Sequence, residues 1–359
     1  MSETTKRDLF ADYVRVIATF AVILLHSSGD LLYSFGKPYY QFDFWMTGNV
    51  FDSATRWSVP VFAMLSGALL LRPKYTESIG NFLQRRMLRV FIPYLFWSVI
   101  YTLYMYRYNI RDWQTPHWPD VWNKILFDEV YYHLWFVPMI LGLYFVTPIF
   151  RVLVRHATRF EIEYFITLWF VTSIISAHFP DFFMVRYMGW FAYTGYFLLG
   201  DYIVTYPFSL RVRQWIYALG IAGLALTIFG TWLGSEYFGY FFDRLYIYLS
   251  INVVLTSVAV FTYLKYVNWA AFATRFPRIN HIVLYLSGIS FGIYLCHVVI
   301  MDCLKNGYIW SIKIYTTSFM NHDLHPIVCV PLFCLVVVFM SILLINVLIK
   351  IPFIKKIVV

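Results

Sequence analysis

The sequence has few charged residues for its length. Asp, Glu, Lys and Arg make up 13% of the 359 residues, whereas hydrophobic residues make up 60% and aromatic residues 22%. Soluble domains carry about 25% charged residues, so this composition excludes that class. The long apolar runs also lack the alternation of membrane strands. We therefore predict an all-α polytopic membrane protein, because helices satisfy their own backbone hydrogen bonds in lipid.

Cysteines are also scarce. Cys296, Cys303, Cys329 and Cys334 lie in or beside apolar runs, without CxxC or mixed His/Cys spacing. This pattern argues against a disulfide framework and against a metal site. The net charge of +9 gives no reason to invoke nucleic acid, because an uneven distribution of Lys and Arg across the membrane accounts for it.

Windows long enough to cross a bilayer occur about ten times along the chain. The predicted spans are residues 10–32, 51–71, 88–106, 134–154, 162–178, 187–205, 214–233, 245–264, 282–303 and 326–349. One alternating set of connecting segments holds most of the Lys and Arg residues, so we predict that this set and both termini are cytoplasmic. We expect one integral-membrane domain over residues 1–359, with its first span retained and not cleaved as a signal peptide.

Two ionisable residues interrupt the first predicted span. Arg15 and His26 are eleven residues apart, which places them on one helical face about 16 Å apart along the axis, with Asp12 near that face. Ionisable side chains within a span usually face a polar cavity and mark function. We therefore predict that this face forms one wall of a polar shaft. Because the span runs outward, Arg15 lies in its cytoplasmic half and His26 lies nearer the outside.

An arginine cluster follows the second predicted span. Arg85 and Arg89 are four residues apart, with Arg86 beside them. Guanidinium groups bind phosphates through paired hydrogen bonds, which makes the cluster a candidate phosphate site. Anchoring to anionic lipid headgroups explains the same cluster equally well.

Two further charged residues near the spans are candidates with open alternatives. Arg56 lies at a depth similar to that of His26. It either stabilises developing oxyanion charge, binds an acidic glycan, or forms a buried ion pair with Asp43 or Asp52. Asp30 lies one helical turn beyond His26 and either orients its imidazole or is a solvated carboxylate.

Two more histidines are weaker candidates. His133 begins a predicted span beside Trp135, where a histidine is more often a hydrogen-bonding group at headgroup level than a site residue. His297 lies inside the ninth predicted span and must find a partner there, through either a packing hydrogen bond or a cavity role.

Six stretches spread over nearly the whole chain form an ordered set. They are Asp12–Arg15 with His26, Arg56–Leu70, Phe82–Pro93, His133–Phe136 with Gly142–Tyr144 and Pro148, Tyr193–Gly200, and Ile289–His297. In this order they resemble the landmarks of the acyltransferase-3 family of integral-membrane acyltransferases. The resemblance is closest to the branch that contains the enterobacterial common antigen O-acetyltransferase.

The resemblance implies an O-acyltransferase of the bacterial inner membrane. Such an enzyme moves an acyl group, usually acetyl, from cytosolic acyl-CoA to a hydroxyl of a surface glycan or its lipid-linked precursor. By the same resemblance His26 is catalytic, Arg15 is essential, and the basic motif of Arg85, Arg86 and Arg89 contacts the donor. The family's commonly described motif has two arginines separated by one residue, a spacing that this motif lacks.

The residues and the resemblance together suggest a mechanism in which His26 removes the proton of the acceptor hydroxyl. A covalent acyl-histidine intermediate is an open variant. Two other classes also stay open: a transporter or flippase of a lipid-linked glycan, and a non-catalytic subunit of a polysaccharide exporter. The sequence shows no paired halves with matching Gly/Pro-broken helices, which inverted-repeat carriers tend to have.

Overall fold

A computed structural model describes residues 8–72, 77–108, 118–127, 130–178, 192–308, 314–320 and 322–358. The helices are α1 (Leu9–Leu32), α2 (Phe42–Thr55), α3 (Ser58–Leu70), α4 (Ile79–Met105), α5 (Trp118–Phe127), α6 (Phe136–His156), α7 (Arg159–His178), α8 (Thr194–Thr205), α9 (Leu210–Phe238), α10 (Ile251–Tyr266), α11 (Trp269–Arg275), α12 (Pro277–Lys305), α13 (Pro326–Ile349) and α14 (Pro352–Val358). A 3-10 turn covers Arg244–Tyr246, and the strands β1 (Ser318–Phe319) and β2 (His322–Asp323) form one short antiparallel pair. The predicted all-α class is confirmed.

Within the described residues, eight helical segments are long and apolar enough to cross a membrane. They are α1, α4, α6, α7, α9, the segment Arg244–Tyr266 that contains α10, α12 and α13. Two predicted spans differ from single long helices. The second is broken at Arg56 into α2 and α3, and the sixth is represented by the 12-residue α8, with residues 187–191 outside the described ranges.

The short helices α3 and α8 pack against each other in the core. A Cβ atom at Gly67 would lie 1.7 Å from the carbonyl oxygen of Phe197, and one at Gly200 would lie 1.9 Å from that of Met64. Only glycine permits this backbone approach, which is typical of helix packing in membranes. Every residue of α8 from Thr194 to Ile203 is buried, so this helix belongs to the protein interior.

Helix α1 occupies the centre of the fold. It packs against α2, α3, α12 and α13, and its first turn is capped by the Asp8 side chain, which accepts a hydrogen bond from the Ala11 N–H. Helix α4 begins in the same way, with the Ser78 hydroxyl accepting from the Asn81 N–H. These side-chain caps stabilise the first turns of the two helices, which are the ends that carry Arg15 on α1 and the arginine cluster on α4.

Candidate active site

The fold brings together three histidines that are far apart in the sequence. His26 lies on α1, His133 precedes α6, and His297 lies on α12. The rings of His26 and His297 are parallel within 3°, with their centroids 5.1 Å apart. His133 lies edge-on to both, with centroid distances of 5.2 Å to His297 and 6.4 Å to His26. We call these residues the histidine cluster.

Hydrogen bonds within the cluster define the tautomer of His26. The Nδ1 atom of His297 lies 2.6 Å from the carbonyl oxygen of Tyr294, so this nitrogen carries the proton and donates it. The Nε2 atom of His297 is then the acceptor, and it lies 2.8 Å from Nδ1 of His26. His26 therefore donates from Nδ1 and keeps a lone pair on Nε2, which is the form that a general base requires.

The three histidines differ in their access to substrate. His133 and His297 are 1% and 0% exposed, whereas His26 is partly exposed. The Nε2 atom of His133 faces the carbonyl oxygen of Leu295 at 3.4 Å, and the Tyr294 hydroxyl donates to the carbonyl oxygen of His133. These contacts fix the position of His133, and His26 is the one ring of the three that is not fully buried.

A cavity of about 540 Å³ lies beside Arg15 and the part of α12 that precedes His297. Its wall on α12 extends from Ser287 to Tyr294, which are seven positions and about 10 Å apart along the helix. His297 follows less than one turn beyond Tyr294. At the other end, the Arg15 guanidinium donates to the Ser287 hydroxyl over 2.7 Å. The cavity thus extends from Arg15 to within one helical turn of His297 along α12, although none of the three histidines is among its described lining residues; we call it the donor cavity.

Asp12 holds Arg15 at the wall of this cavity. The carboxylate of Asp12 is buried, with 5% of the residue exposed. It accepts a hydrogen bond of 2.5 Å from the Ser287 hydroxyl and lies 3.5 Å from the Arg15 guanidinium. A buried carboxylate needs such partners. The structure therefore unites Asp12 and Arg15, as their shared helical face suggested, and adds Ser287.

The three arginines of the basic motif have different positions. Arg86 and Arg89 line the donor cavity. Arg85 lies outside its lining and forms an ion pair with Glu77, with 69% of the arginine side chain exposed. Residues three apart share a helical face, so the pair available to a ligand in the cavity is Arg86 with Arg89.

Arg56 occupies a buried ion pair, one of the alternatives left open by the sequence. Its guanidinium is bonded to Asp52, which is 1% exposed, and its Cζ atom lies 4.4 Å from the ring centroid of Tyr246. Asp43, the other considered partner, lies 3.3 Å from His325. Among the described residues that line the donor cavity, Arg56 does not occur.

Asp30 has a partner other than the catalytic candidate. Its carboxylate forms an ion pair with Lys305 at the end of α12. The Nδ1 atom of His26 is bonded to Nε2 of His297. A neutral imidazole therefore orients His26 in place of a carboxylate.

The segment before α6 links the histidine cluster to the cavity wall. His133 belongs to the cluster, and Phe136 lines the donor cavity. Between them, the Trp135 ring packs against Tyr193 and Tyr248, with both centroid distances at 5.7 Å. Trp135 thus anchors a segment that contributes to the site, whereas the sequence pattern favoured a headgroup-level role for His133.

Ser287 and Tyr294 are site residues that the sequence reasoning missed. They are seven residues apart, which places them on one helical face, and His297 follows Tyr294 by three residues on that same face. Extending the helical face of His297 backwards along α12 would have identified both. The contact of Ser287 with Arg15 joins α12 to α1, whereas the contact of Tyr294 with His297 lies within α12.

Comparison with known proteins identifies the family. A family model described as an acyltransferase domain matches residues 8–346, a range that contains every candidate site residue named above. No curated protein and no solved structure gives a significant match. The matched range covers most of the chain, and eight segments of the described residues can cross a membrane. The chain therefore belongs to the acyltransferase-3 family and is a multi-pass membrane acyltransferase.

Proposed function

We propose that this protein transfers an acyl group, most simply acetyl, from cytosolic acyl-CoA to a hydroxyl of a cell-surface glycan or its lipid-linked precursor. The expected location is the bacterial inner membrane with both termini cytoplasmic, and the expected acceptor is of the type modified by the enterobacterial common antigen branch. One observation carries the proposal: the donor cavity joins the Arg86 and Arg89 side chains to Tyr294, whose carbonyl oxygen positions His297 and, through it, His26.

The donor cavity suits the shape and charge of acyl-CoA. Coenzyme A has a phosphate-rich head on a long, thin arm, and Arg86 and Arg89 offer two guanidinium groups that bind phosphates bidentately. The volume of about 540 Å³ lies within the usual range for a small-molecule site. With the head at the arginines, the arm follows α12 towards Tyr294 and brings the thioester close to His26.

The proposed reaction uses the free lone pair on His26. Nε2 accepts the proton of the acceptor hydroxyl while the hydroxyl oxygen attacks the thioester carbonyl carbon. The new C–O bond forms, the C–S bond breaks, and the coenzyme A thiolate leaves with the proton from the imidazolium. The hydrogen bond from Nδ1 to His297 stabilises the imidazolium during this step.

Acceptor-dependent release of coenzyme A tests the proposed function. The protein is purified into nanodiscs and incubated with acetyl-CoA and a lipid-linked glycan preparation, and the released thiol is measured. An enzyme of the proposed type releases thiol only when the acceptor is present. A flippase or an accessory export subunit releases none, and that result would contradict the proposal.

A double change of Arg86 and Arg89 to lysine is expected to raise the KM for acetyl-CoA by about 10-fold. Lysine keeps the positive charge but loses the planar pair of donors that binds phosphate. Arg85→Lys is the matched control, because Arg85 lies outside the cavity lining and pairs with Glu77. Its KM should stay at the parent value. Parent-like KM values in both variants would support lipid anchoring instead.

His297→Phe is expected to lower kcat by about 10-fold or more with little change in the KM for acetyl-CoA. Phenylalanine fills similar space but removes the acceptor that keeps the Nδ1 proton of His26 in place. His297→Gln offers an amide oxygen near the position of Nε2, so it should recover part of the lost activity and the parent pH profile. Equal activity of the Phe and Gln variants would show that His297 only fills space.

A further inference from the structure

A second cavity, of about 570 Å³, opens at the end of α1 opposite to Arg15. Its lining residues are Asp30, Leu31, Ser34, Tyr39, Gln41, Phe44, Tyr315, Thr316, Thr317, Asp323, Leu324 and His325. Asp30 belongs to this wall and follows His26 by four residues, which is one turn or about 6 Å along α1. The cavity and the donor cavity therefore approach the histidine cluster from opposite ends of the same helix.

The lining of this cavity combines aromatic rings with uncharged and acidic polar groups. Tyr39, Phe44 and Tyr315 supply the rings, and Gln41 supplies an amide with both donors and an acceptor. Partial burial raises the pKa of Tyr315 to about 12, so its hydroxyl stays protonated. Aromatic faces with a few hydrogen-bonding groups are typical of sites that hold a small polar molecule in one orientation.

The charges around the cavity disfavour an anionic ligand. No Lys or Arg occurs among the described lining residues, whereas Asp30 and Asp323 both do. The charge of Asp30 is paired with Lys305, whose Nζ atom lies 5.8 Å from the ring centroid of the lining residue Tyr315, and the acidic side chain of Asp323 is exposed. A ligand with a carboxylate or phosphate would meet repulsion here, in contrast to the donor cavity with its arginines.

Thr316 supplies an independent sign that this cavity receives a ligand. The residue is 0% exposed, lines the cavity, and its hydroxyl has no hydrogen-bond partner among the described residues. Buried hydroxyl groups are nearly always bonded in native proteins. The neighbouring backbone is fixed by the hydrogen bond from the Leu324 N–H to the carbonyl oxygen of Thr317. A hydroxyl-bearing ligand in the cavity would satisfy Thr316.

We propose that this second cavity is the acceptor subsite and that it binds a neutral sugar unit through its hydroxyl groups. This proposal rests on the acyl transfer proposed above, since it supplies the hydroxyl that His26 deprotonates. A sugar ring stacked on the aromatic wall and bonded to Thr316 would direct one hydroxyl past Asp30 towards the lone pair of His26. The exclusion of anionic sugars follows from the acidic lining.

Binding of two matched sugars tests the proposal without any turnover. Saturation-transfer NMR is recorded on the whole protein in nanodiscs with methyl β-glucoside, and then with methyl β-glucuronide, which differs only by a carboxylate. We expect a signal from the neutral glucoside and a signal at least about 3-fold weaker from the glucuronide. Absence of a glucoside signal, or equal signals from both sugars, would overturn the proposal.

Variants locate the bound sugar in this cavity. Thr316→Val removes the unpartnered hydroxyl and keeps the side-chain volume, so it should weaken glucoside binding by about 3-fold or more. Thr262→Val is the matched control, because Thr262 is equally buried, also lacks a hydroxyl partner among the described residues, and lines neither cavity. Equal glucoside binding in both variants and the parent would contradict the proposal, as would equal losses.

A second variant does not depend on a buried position. The double change Tyr39→Ala with Gln41→Ala alters two exposed side chains and should weaken glucoside binding by about 10-fold while leaving acetyl-CoA affinity unchanged. Unchanged glucoside binding would overturn the assignment. If the protein binds glucoside in this cavity but never releases coenzyme A, the proposed acyl transfer is wrong and the proposed sugar site is supported.

Discussion

His26→Ala is expected to lower acyl transfer by at least about 100-fold, which is the usual lower size of a general-base contribution. His26 is the partly exposed member of the histidine cluster, and its hydrogen bond to His297 leaves Nε2 free to accept a proton. The alanine variant lacks this acceptor. Acetyl-CoA affinity should stay near the parent value, because the donor head binds at the other end of the cavity. Initial rates of thiol release and calorimetric titration with acetyl-CoA measure the two effects.

His281→Ala is the control for this experiment. His281 lies on α12 like His297, but it is exposed and lines neither cavity. Its removal should leave kcat within about 2-fold of the parent value, as expected for a surface change. If His26→Ala retained parent-like turnover, the general-base assignment would be wrong. Detection of an acyl group on His26 by mass spectrometry would favour the covalent variant of the mechanism.

Gly288→Trp is expected to lower kcat/KM for acetyl-CoA by on the order of 100-fold, because an indole in the donor cavity blocks both binding and positioning of the arm. Gly288 lines this cavity on α12, and a Cβ atom there would meet no atom within 4 Å among the described residues. The helix therefore accepts a side chain without a clash, and tryptophan has a higher helix propensity than glycine.

Gly142→Trp provides the matched control for the blocked cavity. A Cβ atom at Gly142 of α6 would also meet no described atom within 4 Å, but this residue does not line the donor cavity. The control should therefore keep its donor kinetics and its thermal midpoint. Parent-like kinetics in Gly288→Trp would show that the donor does not bind in this cavity. Equal losses in the two variants would point to general disturbance of the helices.

Hydropathy alone predicted the class of the protein and most of its spans, because each span is a local property of about 20 residues. The break at Arg56 and the short α8 could not be predicted in this way. Both accompany tertiary contacts: the packing of the Arg56 guanidinium on the Tyr246 ring, and the backbone approach that Gly67 and Gly200 allow. A short helix that is buried among other helices lacks the apolar window of about 20 residues by which membrane spans are predicted.

The candidate site was predictable only where its residues lie on one helix. Helical periodicity placed Arg15 and His26 on one face of α1, since both residues belong to one helix. The contact between His26 and His297 joins residues 271 positions apart, and only the packing of α1 against α12 creates it. Likewise, spacing grouped Arg85 with its neighbours, but the position of the cavity decides that Arg86 is a lining residue and Arg85 is not.

Cryo-electron microscopy of the protein in nanodiscs with a thioether analogue of acetyl-CoA would locate the donor. We expect density for the nucleotide head at Arg86 and Arg89, for the arm along Ser287 to Tyr294, and for the acyl end beside His26. Density for the analogue at another surface, or an arm that lies outside the donor cavity, would contradict this expectation.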